Sequence, residues 1–257
     1  TGATLVSAGT LTVSAGALAG TSGITVNGAT LAAANYNLAA TLALDATATA
    51  TISGETLTFT GAVTNAGTTD NALNFSASTG IITLTSLAGA GKTRFGSDAD
   101  VLGGISVGTV TVVGALGANI TGGAVTAGSI TGNVSAGTVS AATLSGNITG
   151  GAVTLTGLLL GDVSGGTVSA AALTGNISAG AVTLTGALTG NVLAGAGTVT
   201  AGSMAGNVGS SVTISGALNG VITAGTNSIG SLTSASVTGG TNTITGAATV
   251  TTVNGGT

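Results

Sequence analysis

The 257-residue sequence has no cysteine, no histidine, no proline and no tryptophan. Without thiols and imidazoles there is neither a disulfide framework nor the usual means of holding a transition metal. A chain without cysteine also agrees with passage through an oxidising compartment. Without proline, collagen-like and elastin-like readings of its 48 glycines fall away, and those glycines keep no strict every-third period. Charge is nearly as scarce, at 3% of the chain where a soluble globular protein carries about 25%. The two cations, Lys92 and Arg94, make no basic patch, so no nucleic acid is expected as a partner. Aromatic residues amount to 2%, too few to fill an ordinary globular core.

Long hydrophobic runs are missing too. The densest, Leu158 to Leu160, is a triplet between glycines, whereas a spanning helix needs roughly 20 apolar residues. A membrane barrel would need girdles of Trp and Tyr, and the chain has one Tyr. No membrane span is therefore expected. The mean hydropathy of +0.71 and net charge of -4 are nevertheless the opposite of what keeps a chain disordered. The chain opens at Thr1 with neither Met nor a hydrophobic signal core, and reads as a mature or excised segment of something longer.

The sequence has instead a repeat. From Gly132 to Val192 a phrase of the type GNVSAGTVSAATLS returns at a spacing of about 14 or 15 residues, the mark of a chain that coils. Three apolar ladders follow this period. One runs Leu116, Ile130, Leu144, Leu158, Leu173, Leu188, Met204, Leu218, Leu232. A second runs Ile120, Val134, Ile148, Val163, Ile177, Val192, Val208, Ile222, Val237. The third runs Val110, Val125, Val139, Val153, Val168, Val182, Val199, Val212. Each becomes a column of stacked side chains if one repeat is one turn, and the small residues two before a rung, such as Gly132, Gly137 and Ala142, would face inward and keep the coil narrow.

A longer period competes. Gly132 to Leu160 and Gly161 to Thr189 agree at 21 of 29 positions. With coils stacked about 4.8 Å apart, the alternatives are roughly 18 short turns over ~85 Å or roughly nine wide ones over ~43 Å. A short turn encloses little apolar volume, and Thr154, Leu155 and Thr156 extend the strand beyond one rung, which favours the wide coil of about 29 residues.

Residues 1–102 are less regular than residues 103–257, and the two read as one continuous solenoid. The first segment holds Tyr36, Phe59, Phe75 and Phe95 and every charged residue except Asp162. Its alternating runs Thr10 to Val13, Thr56 to Phe59 and Ile82 to Thr85 read as strands with one buried face. GTLTVSAGAL at Gly9 to Leu18, GITVNGATL at Gly23 to Leu31 and SLAGAGKTRFG at Ser86 to Gly96 resemble the autotransporter-associated β-strand repeats of bacterial surface and secreted proteins. The resemblance covers about the first hundred residues and implies a right-handed parallel β-helix exported to the cell surface, although no translocator barrel is present in the sequence.

Candidate chemistry is sparse. Gly91-Lys92-Thr93 lacks the first glycine of a phosphate-binding loop, Ser86 standing in its place, and Arg94 to Asp98 are poor helix formers; the segment reads as a β-turn. Asp98 and Asp100 could share a calcium ion, but the pair does not recur, and a solvated charged loop beside Lys92 and Arg94 is the simpler reading. Asp45, Glu55, Asp70 and Asp162 stand alone, with no carboxylate pair spaced for acid and base roles.

Asn119, Asn133, Asn147, Asp162, Asn176, Asn191 and Asn207 form a column before the second ladder, suited to stacked amides at coil corners, which Asp162 would interrupt. Asn119, Asn133, Asn147 and Asn176 also fit the N-x-Ser/Thr glycosylation pattern. Hydroxyls flank the Val ladder at Thr109 and Thr111, Thr138 and Ser140, Thr167 and Ser169, Thr198 and Thr200, with Ala interrupting at Ala152 and Ala181. Such rows could order water and bind ice, though Thr is also the polar residue best suited to an exposed strand.

The expectation is an all-β parallel β-helix (β-solenoid) without evident end caps. No catalytic, metal or cofactor residue is assigned and no enzyme activity is expected. The function read from this is a stiff extracellular rod of bacterial origin: a self-assembling filament or sheath subunit, or an adhesin stem. Its expected partners are other copies of itself, end to end and side by side, and the cell surface or its glycans. The alternative is an ice-binding protein using a Thr-rich face.

Overall fold

The computed structural model describes residues 2–14, 18, 20–34, 39–54, 57–77 and 80–255. Every regular element among them is a β-strand. The strands stack in parallel, each on the strand one coil earlier, as a β-solenoid of about 15 turns. Strands of alternating Thr and apolar residues form where expected, at Thr10–Val13, Leu57–Phe59 and Ile82–Leu84. Tyr36, Glu55 and Thr56 lie outside the described residues. The chain divides into two compact units, Thr1–Gly132 with Gly137–Val139, and Asn133–Ala136 with Ser140–Thr257.

In the first unit one face stacks Ala3–Val6, Gly23–Val26, Thr41–Leu44, Val63–Asn65 and Leu87–Ala88. Its column Ile24, Leu42, Val63, Leu87, Ile105, Ile120 is buried throughout. A second face stacks Thr10–Val13, Thr30–Ala34, Thr49–Gly54, Leu73–Ala77, Lys92–Phe95 and Thr109–Val112. A third starts, among the described residues, at Leu57–Phe59 and continues through Ile82–Leu84, Ala99–Val101 and Ala115–Gly117.

Coil length rises and then falls along this unit: the step from Val63 to Leu87 is longer than the step from Ile24 to Leu42 before it and than the step from Ile105 to Ile120 after it. The wide coils are those that hold aromatics. Phe59, Phe75 and Phe95 are fully buried; Phe75 lies edge-on to Phe59 and stacks on Phe95, both at 5.2 Å between centroids. Rings need the extra cross-section, and such pairs contribute about 0.5–1.5 kcal/mol beyond their buried area.

In the second unit the coil is short. Val134, Ile148, Val163, Ile177, Val192, Val208, Ile222 and Val237 bridge one another in succession, and Val237 pairs with Val253. These nine rungs, one per coil, stack over ~38 Å. The wide coil favoured by the sequence is therefore corrected: one copy of the long repeat is two turns. Two successive turns differ in what they put inside. Two positions after each Val rung the inward side chain is Leu155, Ala170, Leu184 and Ala201 in turn, all buried, with Ala170 registered on Leu184. A large side chain on one turn occupies the room left by alanine on the next, so a narrow coil fills at interior density only as a pair of turns.

Two smaller expectations also change. The rung between Leu144 and Leu173 is Leu159, fully buried, and not the partly exposed Leu158, which pairs with Ala172. The small residues before the rungs do not all turn inward, for Ala142 is exposed. The corner glycines are small because of stacking. At Gly190, with φ +143, an added Cβ would sit 2.0 Å from the carbonyl oxygen of Gly175 on the coil before, a collision no other residue avoids.

Candidate functional site

Three surface features carry the polar chemistry, and each arises from where a coil corner or strand face places its side chains.

The charged group lies on the first unit. The segment expected as a β-turn is the start of a strand: Lys92 opens the strand Lys92–Phe95, and Thr93 points inward with 4% exposure. Beneath it Asn65, 1% exposed, donates from Nδ2 to the Thr93 hydroxyl (3.0 Å) and the Lys92 carbonyl (3.1 Å), and its Oδ1 accepts from Gly67 N–H (2.9 Å). All of that amide is engaged within the fold, so Gly91-Lys92-Thr93 is the edge of a buried polar knot. Lys92 Nζ meets Asp70 at 2.7 Å in the open. The Lys92 hydrogen bond and charge hold the Asp70 carboxyl below its ordinary range.

Asp98 and Asp100 do not converge. Asp98 accepts from Ala115 N–H of the next coil at 2.7 Å, while Asp100 lies in the strand Ala99–Val101. The charged-loop reading holds for Asp98, exposed between the strands Lys92–Phe95 and Ala99–Val101, and not for Asp100. Neither joins the Lys92 pair, and no cluster of three metal-ligating side chains occurs among the described residues. Asp45 caps a corner by the same device: it accepts from the N–H groups of Gly28, Thr47 and Ala48, and these bonds lower its pKa, the Gly28 bond most.

The asparagine corner belongs to the second unit. The side-chain oxygen of each residue accepts the backbone N–H of its counterpart one coil on: Asn133 from Asn147 (2.8 Å), Asn147 from Asp162 (2.9 Å), Asp162 from Asn176 (2.7 Å), Asn176 from Asn191 (3.0 Å), and Asn191 from Asn207 (2.9 Å). Amide-to-amide contacts are secondary, as from Asn191 Nδ2 to Asn176 Oδ1 at 3.1 Å. Asp162 therefore does not interrupt the column. The corner requires an acceptor oxygen, which carboxylate and amide both supply.

The third feature is the hydroxyl face. The positions one after each Val rung register as Thr154, Ser169, Thr183, Thr200, Thr213, Ser228, Thr243, a row without a gap. The row one before alternates as Ala152, Thr167, Ala181, then continues with a hydroxyl in every coil at Thr198, Ser211, Thr226 and Thr241. The interruption expected at Ala152 and Ala181 thus affects one of two rows, and ends after Ala181. Reading the two flanks of the Val ladder separately would have found this. An open groove of about 350 Å3 lies within this face, lined by Thr198, Ser211, Thr213 and Thr226 of the two rows together with Ala196 and Ser210.

Compared with protein-family models, with curated proteins and with solved structures, the chain shows no match.

Proposed function

We propose that this chain is a non-enzymatic structural element, a segment of a stiff extracellular rod serving as a filament or sheath subunit or as an adhesin stem. The observation that carries this reading is the register: parallel strands repeat once per short turn along the second unit, each apolar rung directly on the last. In such a stack each coil is tied to its neighbours by backbone hydrogen bonds directed along the axis, and bending must open many together.

The corner oxygens add one further bond per coil. Val253, registered on Val237 of the inward column, stays open at 65% exposure on the last described coil. Such an edge invites coaxial pairing with further coils or another copy of the chain. The sparsely charged exterior favours side-by-side packing as well. An extracellular place, at a cell surface or against its glycans, is part of the same proposal; it rests on the absence of cysteine and on the resemblance of the first hundred residues to exported repeats.

Negative-stain microscopy of the purified chain over a concentration series tests it. Rods that lengthen or bundle with concentration are expected; monomers at every concentration would remove self-assembly from the proposal.

A further inference from the structure

We propose that the four coils carrying Thr198 and Thr200, Ser211 and Thr213, Thr226 and Ser228, and Thr241 and Thr243 form an ice-binding face. This inference is independent of the rod reading. Side chains two apart on a strand project from the same side about 6.7 Å apart, and neighbouring coils repeat at about 4.8 Å. Thr200, Thr213, Ser228 and Thr243 stand in strand register as one column, and Thr226 and Thr241 belong to a second that Thr198 and Ser211 extend just ahead of their strands. The resulting two-column grid has spacings on the scale at which oxygen atoms repeat on a face of ice. Regular columns exist elsewhere on the molecule, so spacing alone does not single this face out.

Completeness does: in these four coils both flanks of the column carry a hydroxyl, whereas Ala152 and Ala181 leave earlier coils with one. On this face only Ser211 Oγ is engaged, accepting from Thr226 N–H at 2.9 Å; the other hydroxyls of the grid make no hydrogen bond among the described residues and must be completed by water. The face is also free of charge, which would impose its own hydration on the adjoining water: the second unit holds one ionisable side chain, Asp162, on the asparagine corner.

The grid is fixed from below. Where the Val column would continue past Val212, the structure places Asn227, 2% exposed. Its Oδ1 accepts from Val212 N–H at 3.1 Å, and its Nδ2 donates to Asn242 Oδ1 at 2.8 Å and to the Ala224 carbonyl at 3.1 Å. An inward amide bonded to the coils on both sides holds the strands under Thr226 and Thr241 in register, so their hydroxyls and the waters on them keep fixed places. Preorganised water of this kind joins an ice surface with little further ordering, and the protein stays adsorbed where the crystal would grow.

Thermal hysteresis and the shape of single ice crystals, measured with the full chain at millimolar concentration, test the proposal. The unaltered chain should shape ice and hold a freezing gap. Thr213→Lys and Thr226→Lys, each putting a charge within the grid at an exposed position, should abolish both, while Thr174→Lys on another face keeps them. If a lysine variant does not fold, Thr213→Val, which removes one hydroxyl at constant volume, should reduce the gap. Absence of hysteresis and ice shaping in the unaltered chain, or an equal loss in Thr174→Lys, overturns the proposal.

Discussion

The two units solve the same packing problem with different cross-sections. Around Phe59, Phe75 and Phe95 the first unit makes long coils that enclose rings. The second makes short ones that enclose Val, Ile, Leu and Ala. A wide coil concentrates its stabilisation in a few large side chains, and its loops are held by individual devices such as Asn65 and Asp45. A narrow coil spreads it evenly over many rungs and repeats one corner device from coil to coil. The first arrangement should therefore fail at single positions, whereas the second should lose stability in small, similar steps.

Phe75→Ala is the strongest way to break this contrast. The side chain is fully buried and touches the rings of both Phe59 and Phe95, so its removal should cost about 3–5 kcal/mol. Because coils interact chiefly with their neighbours, the loss should stay local. Hydrogen exchange resolved by peptide should show protection collapsing between Leu57 and Val112 and persisting between Val163 and Val208. Equal loss in both stretches would mean that the chain unfolds as one cooperative block and that coil width is irrelevant to where it fails.

The second prediction sharpens the account of the narrow unit. If its corner needs only an acceptor, Asn191→Ala should cost about 1 kcal/mol, because Asn207 N–H then loses its partner. Asn191→Asp should cost less than half as much, since a carboxylate already fills the same role at Asp162. Urea denaturation midpoints distinguish the two. A replacement by aspartate as damaging as that by alanine would show that the amide-to-amide contact with Asn176 is the essential one.

Fold class and the Ile/Val column from Val134 to Val237 were legible in the residues because apolar rungs at constant spacing have one economical arrangement, a stack. Coil length was misread because similarity reports on composition, and successive turns differ in composition: Leu155 and Leu184 alternate with Ala170 and Ala201 inside, as Ala152 and Ala181 do with Thr167 outside. The triple Leu158-Leu159-Leu160 hid the rung because any of its members suits a ladder, and only the register selects Leu159. Asp162 looked like a defect because residue type was compared where acceptor geometry mattered. Nothing local marks Asn65 or Asn227 as inward; each is buried because its partners arrive from other coils.

The smallest expected effect separates the units by pH. Asp45 and Asp70 both lie in the first unit, each with its pKa lowered from the ordinary 3.8, by corner N–H bonds and by Lys92 respectively. A carboxyl more acidic in the folded state contributes stability above its unfolded pKa, and that contribution disappears as pH falls through the lower folded value. Acidification from neutrality should leave the first unit unchanged until about pH 4 and weaken it slightly below that. Both carboxylates are exposed, and exposed pairs such as Asp70 with Lys92 contribute little, so the change should be smaller than that of Asn191→Ala. Peptide-resolved protection, corrected for the intrinsic exchange rate at each pH, should fall around Gly28 to Ala48 and Asp70 to Phe95 and hold from Val163 to Val208. Asp45→Asn should remove the acid dependence of the first stretch alone; if it persists there unchanged, the corner bonds to Asp45 are not its source.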